Sequence, residues 1–450
     1  MFSIFFYIFY FLLCLSSLYF VNKYRVFLLF PLLFTAQFNV TSFLKVGVTI
    51  SFFEVNLILT TLGILIIQSI RKVNLLKKIY LQKQDLIWAL FLGLSLLSII
   101  VAITRVNLGN LKPDIEFVPT YYVRSIMSLN KLFFYFPCFY IIRSYLMEFY
   151  SAEEIKVYFL KAMALSGFLP ALAVVIQFLG IGFTLLHNNP SFAETFRLQD
   201  YSGARPVGLT NEASFFVYQL FFANMALYYG WKKKVFNSST FYLLALLYVF
   251  AVIFSISRTG LLIFALFYIL VWFREIKIFT FSGFIRILKF LPLILIVLVV
   301  FASLNIGGFN LGQRVLSSFQ SEADMSTLER YGSSKAFLQL FLDKSLFLGV
   351  GIYNHQYYIK TYLPEDMNMF YYPRGVAPAS FNFIFQLFVE FGLVPMLMFF
   401  YILYKNIFNW KNDRFFKDWI LFLLIFSLSF QTLNFAIPFL IFFYPSKSAV

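Results

Sequence analysis

The sequence predicts an all-α polytopic integral membrane protein, a helical bundle of about twelve spans with a large outer loop that holds short surface helices. Three observations predict it. Of its 450 residues 61% are hydrophobic and only 12% are charged, and the mean hydropathy is +0.81. That is too little charge to cover a water-soluble chain of this size. The apolar residues fall in blocks of about 17–25, the thickness of a bilayer core. Runs such as 241–255 and 290–304 are also continuous, whereas the strands of a transmembrane barrel would be short and alternating.

The spans are taken in order as 1–20, 26–38, 50–70, 85–104, 125–145, 157–179, 211–229, 240–255, 259–273, 290–304, 377–404 and 419–443. The first lacks a basic leading region and a small-residue cleavage site, so it is expected to be a retained span rather than a cleaved signal. The second and ninth are short, and the last is open to a break near Pro438. Polar stretches at 105–124, 180–210 and 305–376 separate them. The chain thus divides into a membrane bundle over 1–304, a large extracytoplasmic loop over 305–376 and two closing spans over 377–450.

Loop charge sets the orientation. One alternating set is short and basic, with Lys23, Arg25, Arg71, Lys72, Lys77, Lys78, Lys232–Lys234, Arg274, Arg286, Lys405 and Lys411 among its members. Such loops belong in the cytoplasm, which turns the three long loops outward. The net charge of +16 is explained by these helix-end positions, so nucleic acid is not an expected partner. Cys14 and Cys138 lie in separate apolar runs and imply neither a disulfide framework nor a metal site. Ser326-Thr-Leu-Glu329 has capping-box spacing ahead of apolar residues three and four apart up to Leu342, which predicts a surface helix. Ser151-Ala-Glu-Glu154 predicts a similar helix start on the inner side.

Ionisable groups in or beside spans are the functional candidates, because lipid burial is costly unless they are paired or hydrated. Arg205-Pro-Val-Gly208 leads into Asn211 and Glu212. Glu212 can pair with Arg205, act as a base, or simply be an acidic residue favoured at a helix start. Ser255-Ile-Ser-Arg258-Thr-Gly260 is an outer hairpin; Arg258 there can bind phosphate through its planar fork or reach to lipid headgroups. Ser257 can bind oxygen ligands or satisfy freed backbone groups. Arg330 precedes the surface helix, while Asn382 and Glu390 sit in the eleventh span. Glu390 is expected to pair with an Asn or Arg of a span. The histidines, His187 and His355, lie in outer loops. No metal-ligand spacing and no Walker-type phosphate loop is present, so no metal, ATP or other cofactor is expected.

Arg205-Pro-Val-Gly-Leu-Thr-Asn-Glu212, Ser255-Ile-Ser-Arg-Thr-Gly260, Arg330 with Leu348-Gly-Val-Gly351, and Ala379-Ser-Phe-Asn382 with Glu390-Phe-Gly392 occur in that order. The series resembles the bacterial O-antigen polymerase and O-antigen ligase superfamily over about residues 201–393. The resemblance implies a GT-C-like bundle in the bacterial cytoplasmic membrane that performs metal-independent glycosyl transfer on its outer face. Undecaprenyl-pyrophosphate-linked oligosaccharide would be its substrate and the bilayer, a chain-length regulator and a flippase its partners. It further implies that Arg258, with Arg205 and Glu212, carries the reaction, and that Arg330, Ser257, Asn211, Asn382, His355 and Glu390 line the substrate site. Many members, ligases especially, have His-Asn where this chain has Phe381-Asn382. A polysaccharide polymerase is therefore expected ahead of a ligase, with Glu212 and His355 as candidates for a general base. A lipid-linked oligosaccharide flippase or other transporter is the alternative from another class.

Overall fold

The computed structural model describes residues 2–37, 42–46, 48–72, 83–109, 121–179, 206, 208–210, 213–255, 257–276, 305–306, 309–310, 325–352, 354–365, 367, 382–409, 413–428 and 440–445. In chain order these form α1 (Phe2–Asn22), a 3₁₀ turn at Arg25–Leu28, α2 (Leu29–Ala36), β1 (Ser42–Val46), β2 (Val48–Ser51), α3 (Phe52–Ile70), α4 (Lys83–Gly109) and α5 (Tyr121–Phe149). Next come α6 (Ala152–Ser166), α7 (Phe168–Phe178), α8 (Ala213–Lys232), α9 (Ser238–Phe254), α10 (Arg258–Ile276), β3 (Asn305–Ile306) and β4 (Phe309–Asn310). The outer-loop helix α11 (Met325–Lys344) is followed by 3₁₀ turns at Asn354–Tyr357 and Ile359–Tyr362. The chain closes with α12 (Phe383–Phe391), α13 (Leu393–Asn409), α14 (Arg414–Ser427) and a 3₁₀ turn at Ile441–Phe443.

Helices thus occupy the described parts of the apolar runs of the sequence, while 290–304, 377–381 and 429–439 lie outside the described residues. Three expectations change. The fold is helical but not purely so, because β1–β2 and β3–β4 form two antiparallel hairpins. The span expected at 377–404 is two helices bent by 120°. Among the described residues, Phe52–Ile70 and Ala152–Phe178 are long and apolar enough to cross a membrane, and the bent pair makes a third if it counts as one span. Other apolar helices, such as Ser238–Phe254, are shorter, so the figure of about twelve spans is not established by helix length.

By its internal contacts the chain divides into two units, residues 1–19, 27–56 and 160–324 in the first and 20–26, 57–159 and 325–450 in the second. The first unit is built on α8, whose side chains are buried on all sides from Phe216 to Tyr229. A helix apolar all round must be enclosed by others, and α7, α9 and α10 enclose this one. Close approach is made possible by small residues. A Cβ on Gly167, between α6 and α7, would lie 2.7 Å from Ala223 Cβ, and one on Gly260 of α10 would lie 2.2 Å from Val217 Cγ1. Small residues at such crossings let backbones pack where no hydrophobic driving force separates helix from lipid. Buried polar groups find one another here too: Ser17 Oγ donates to Asn56 Oδ1 at 2.5 Å, and Asn56 Nδ2 donates to Thr35 Oγ1 at 3.1 Å.

In the second unit two buried cations fasten distant segments. Arg143 of α5 makes a two-pronged bond to Asp85 of α4, at 2.9 and 2.5 Å, and its Nη1 also reaches the carbonyl of Phe442 at 3.4 Å. Lys156 lies 3.1 Å from Glu153 and 3.6 Å from Asp413. Asp413 in turn caps α14 through the Phe416 N–H and accepts from the Tyr444 hydroxyl. The start of α6 is the expected capping box, with Ser151 N donating to Glu154 Oε2 at 2.8 Å and Glu154 N donating to Ser151 Oγ at 3.3 Å. The outer-loop helix begins at Met325, one residue before the Ser326 capping position.

Candidate functional site

The candidate residues fall into two groups. Ser257 and Arg258 are in the first unit, whereas Arg330, His355, Asn382 and Glu390 are in the second. Arg205, Asn211, Glu212, His187 and Phe381 lie outside the described residues, and for Arg258 and Arg330 the backbone is described but not the side chain.

In the first group, the 255–260 segment joins α9 to the start of α10. Ser255 closes α9, its Oγ donating to Val252 O at 2.7 Å. Ser257 Oγ accepts the Gly260 N–H at 3.3 Å and so caps α10. That satisfies one of the freed donors of the first turn. Arg258 is the first residue of α10, where unpaired N–H groups and the helix dipole favour an anion. A guanidinium added at that point strengthens the same preference. Of the 205–212 motif, residues 206 and 208–210 are described. Gly208 has φ +64 and no room for a side chain, since a Cβ would lie 2.8 Å from the Phe216 ring. Its backbone is bracketed by Gln177 of α7, which donates to Gly208 O at 3.1 Å and accepts from Gly208 N at 2.9 Å.

The second group is organised by the break between α12 and α13. The last carbonyls of a helix need donors from elsewhere, and here the Leu348-Gly-Val-Gly351 segment supplies them. Val350 N donates to Val389 O at 2.8 Å and Gly351 N to Glu390 O at 3.0 Å, while Leu393 N donates to Leu346 O at 2.9 Å. Ser98 Oγ of α4 also reaches Glu390 O, at 3.1 Å. The two glycine motifs therefore meet backbone to backbone. A Cβ on Gly349 (φ +33) would sit 2.2 Å from Glu390 O, and one on Gly392 (φ +84) 2.4 Å from Gly349 N. Gly349→Ala is expected to cost about 2–4 kcal/mol, from strained backbone and a forced separation of the segments. Thermal unfolding of the purified protein in detergent checks this, and a midpoint equal to wild type would mean that the cradle opens freely.

Along α12, Asn382, Gln386 and Glu390 recur every four residues and share one face. Asn382 caps the helix, its Oδ1 accepting the Phe385 N–H at 3.2 Å. Glu390 Oε1 accepts from Gln386 Nε2 at 2.8 Å and stands 2.9 Å from His355 Nδ1. His355 and Glu390 are only 2% and 3% exposed, and the imidazole ring lies 5.0 Å from the Phe337 ring of α11. The expectation that Glu390 pairs with a span Asn or Arg is corrected: its partners are a loop histidine and a neighbouring glutamine. Gln386 was missed although the four-residue spacing from Asn382 to Glu390 pointed to it. Ser98 and Gln177 carried no sequence signal, because each acts on backbone far away in the chain.

Residues 243–400, roughly a third of the chain, match a family model described as O-Antigen ligase. No curated protein and no solved structure matches the chain. Ser257, Arg258, Arg330, His355, Asn382 and Glu390 fall inside the matched segment, whereas Arg205, Asn211 and Glu212 precede it. The 255–260 segment, the glycine cradle and the bend at Gly392 thus all lie within the one stretch, residues 243–400, that is similar to the O-Antigen ligase family.

Proposed function

We propose that this protein is a polysaccharide repeat-unit polymerase. It transfers an undecaprenyl-pyrophosphate-linked glycan to a lipid-linked repeat unit on the outer face of the cytoplasmic membrane. The observation that carries the reading is the match of residues 243–400 to the O-Antigen ligase family, whose members are integral membrane proteins acting on lipid-linked glycans. Polymerase is preferred to ligase because Phe381 stands where the resemblance puts a histidine in ligases. The flippase alternative has no support from that match.

In the proposed reaction an acceptor hydroxyl oxygen bonds to the anomeric carbon of the donor. The bond from that carbon to the pyrophosphate oxygen breaks, and the electron pair leaves with the pyrophosphate. Charge grows on the leaving group, and preplaced guanidiniums lower the barrier by meeting it there. Arg258, Arg205 and Arg330 are assigned that role. Glu212 is the candidate for the acceptor proton, with Asn211, Ser257 and Asn382 arranging the polar surroundings.

The glycan profile of a strain lacking the gene tests the reading. A polymerase defect leaves a single repeat on its acceptor and removes the ladder of longer products. Long polymer stranded on the carrier lipid would establish the ligase reading instead. An accumulation of repeats on the cytoplasmic face would favour a flippase.

A further inference from the structure

We infer that the buried His355–Glu390 pair is a positioning latch that holds the outer-loop helix α11, and with it Arg330, at a set place over the broken helix α12–α13. The inference rests on the glycosyl-transfer reading for the task of Arg330, but the latch itself follows from the geometry. Glu390 is a hub for four segments. Its carbonyl is held by Gly351 and by Ser98 of α4, and its carboxylate by Gln386 and by His355 of the outer loop. Beyond the imidazole stands Phe337 of α11, whose ring belongs to an apolar cluster with Leu340, Val350, Ile359 and Val389. The far end of α11 is tied as well, by Arg105 Nη1 of α4 donating to Lys344 O at 2.8 Å. Arg330 lies two turns before Phe337 at the same register of α11.

Apolar packing alone would bury this helix without choosing its height, because the hydrophobic effect has no direction. A hydrogen bond does have one, and its strength falls steeply when distance or angle is lost. A carboxylate is a poor choice for stability at such a buried place, where an apolar side chain of similar volume often serves as well or better. What the pair adds is one register of the loop on the broken helix. Burial also argues against the imidazole as the group that meets an acceptor sugar, since His355 and Glu390 turn to each other within a nearly closed surface.

The test uses the full chain in detergent or nanodiscs with lipid-pyrophosphate-linked repeats. Glu390→Gln keeps shape and hydrogen bonding but removes the charge, and His355→Gln removes the imidazole. Both are expected to lower kcat by about 10–100-fold, the scale of an ångström-level misplacement of a reacting group, with KM little changed. Glu390→Gln combined with Arg330→Ala should be no worse than Arg330→Ala alone, the non-additivity expected of residues acting through one another. Arg330→Cys, labelled by a water-soluble thiol reagent, should react at a rate altered severalfold when Glu390→Gln is added. Wild-type kcat in both latch variants, additive losses in the double variant, or activity loss that only follows a fallen unfolding midpoint would overturn the inference. The labelling comparison needs no turnover. An unchanged rate there sinks the latch, whereas a rate that changes as expected, alongside a wild-type protein that transfers no sugar, sinks the functional reading alone.

Discussion

Arg258→Ala is expected to abolish chain extension while single lipid-linked repeats accumulate. The expectation follows from where the residue sits and from what the proposed reaction must stabilise. Arg258 opens α10 directly after a capped hairpin, so a positive side chain is added to a helix start already favourable to anions. Departure of a pyrophosphate concentrates negative charge in the transition state more than in the bound substrate. A preplaced donor aimed at growing charge typically contributes about 10²–10³ in kcat. Arg258→Lys keeps the charge but loses the planar fork and should recover only a fraction of the rate. Gel analysis of surface glycan, with membrane levels of the variant held equal, reads both outcomes. Polymer of normal length in Arg258→Ala would remove this residue from the site.

The second large effect is on folding. Asp85→Asn takes away the charge that the Arg143 guanidinium, 1% exposed, grips with two bonds. Breaking a buried pair from one side costs about 3–5 kcal/mol, because a charge remains out of water with no opposite charge beside it. The damage should spread to the closing segment of the chain. Arg143 also holds the carbonyl of Phe442, whose ring stacks on Phe139 of the same helix, and Phe443 meets the Phe139 ring edge-on. A double replacement by apolar residues, Asp85→Leu with Arg143→Met, is expected to recover most of the loss, since no unpaired charge is left. Unfolding midpoints of the three proteins decide the matter. An Asp85→Asn protein as stable as wild type would mean that solvent or lipid headgroups reach Arg143.

These two cases show where sequence reading succeeds. The Arg258 hairpin was legible because its signals are local: two serines and a glycine flanked closely by apolar runs. The capping box at Ser151–Glu154 was legible for the same reason, since both of its bonds span three residues. The break at Gly392 was missed, although Gly392 followed by Pro395 is a usable signal for one helix stopping and another starting. Apolar side chains continue on both sides of it, and continuity outweighed the two breakers. The Arg143–Asp85 pair was not legible at all. Its members are far apart in the chain, and each alone looks like an ordinary helix-end charge.

The class of the molecule was determined by sequence alone. Long apolar blocks with charge confined to their ends leave helices in a membrane as the physical solution, because every backbone group must be satisfied within its own segment. The order of the arginine and glycine motifs was likewise readable before any coordinates. Only the tertiary structure decided that Gly349 backs onto Glu390 and that His355 meets Glu390 instead of an arginine of a span. Those contacts join segments tens of residues apart, and a directional bond between them depends on the path of the chain rather than on any local pattern of residues.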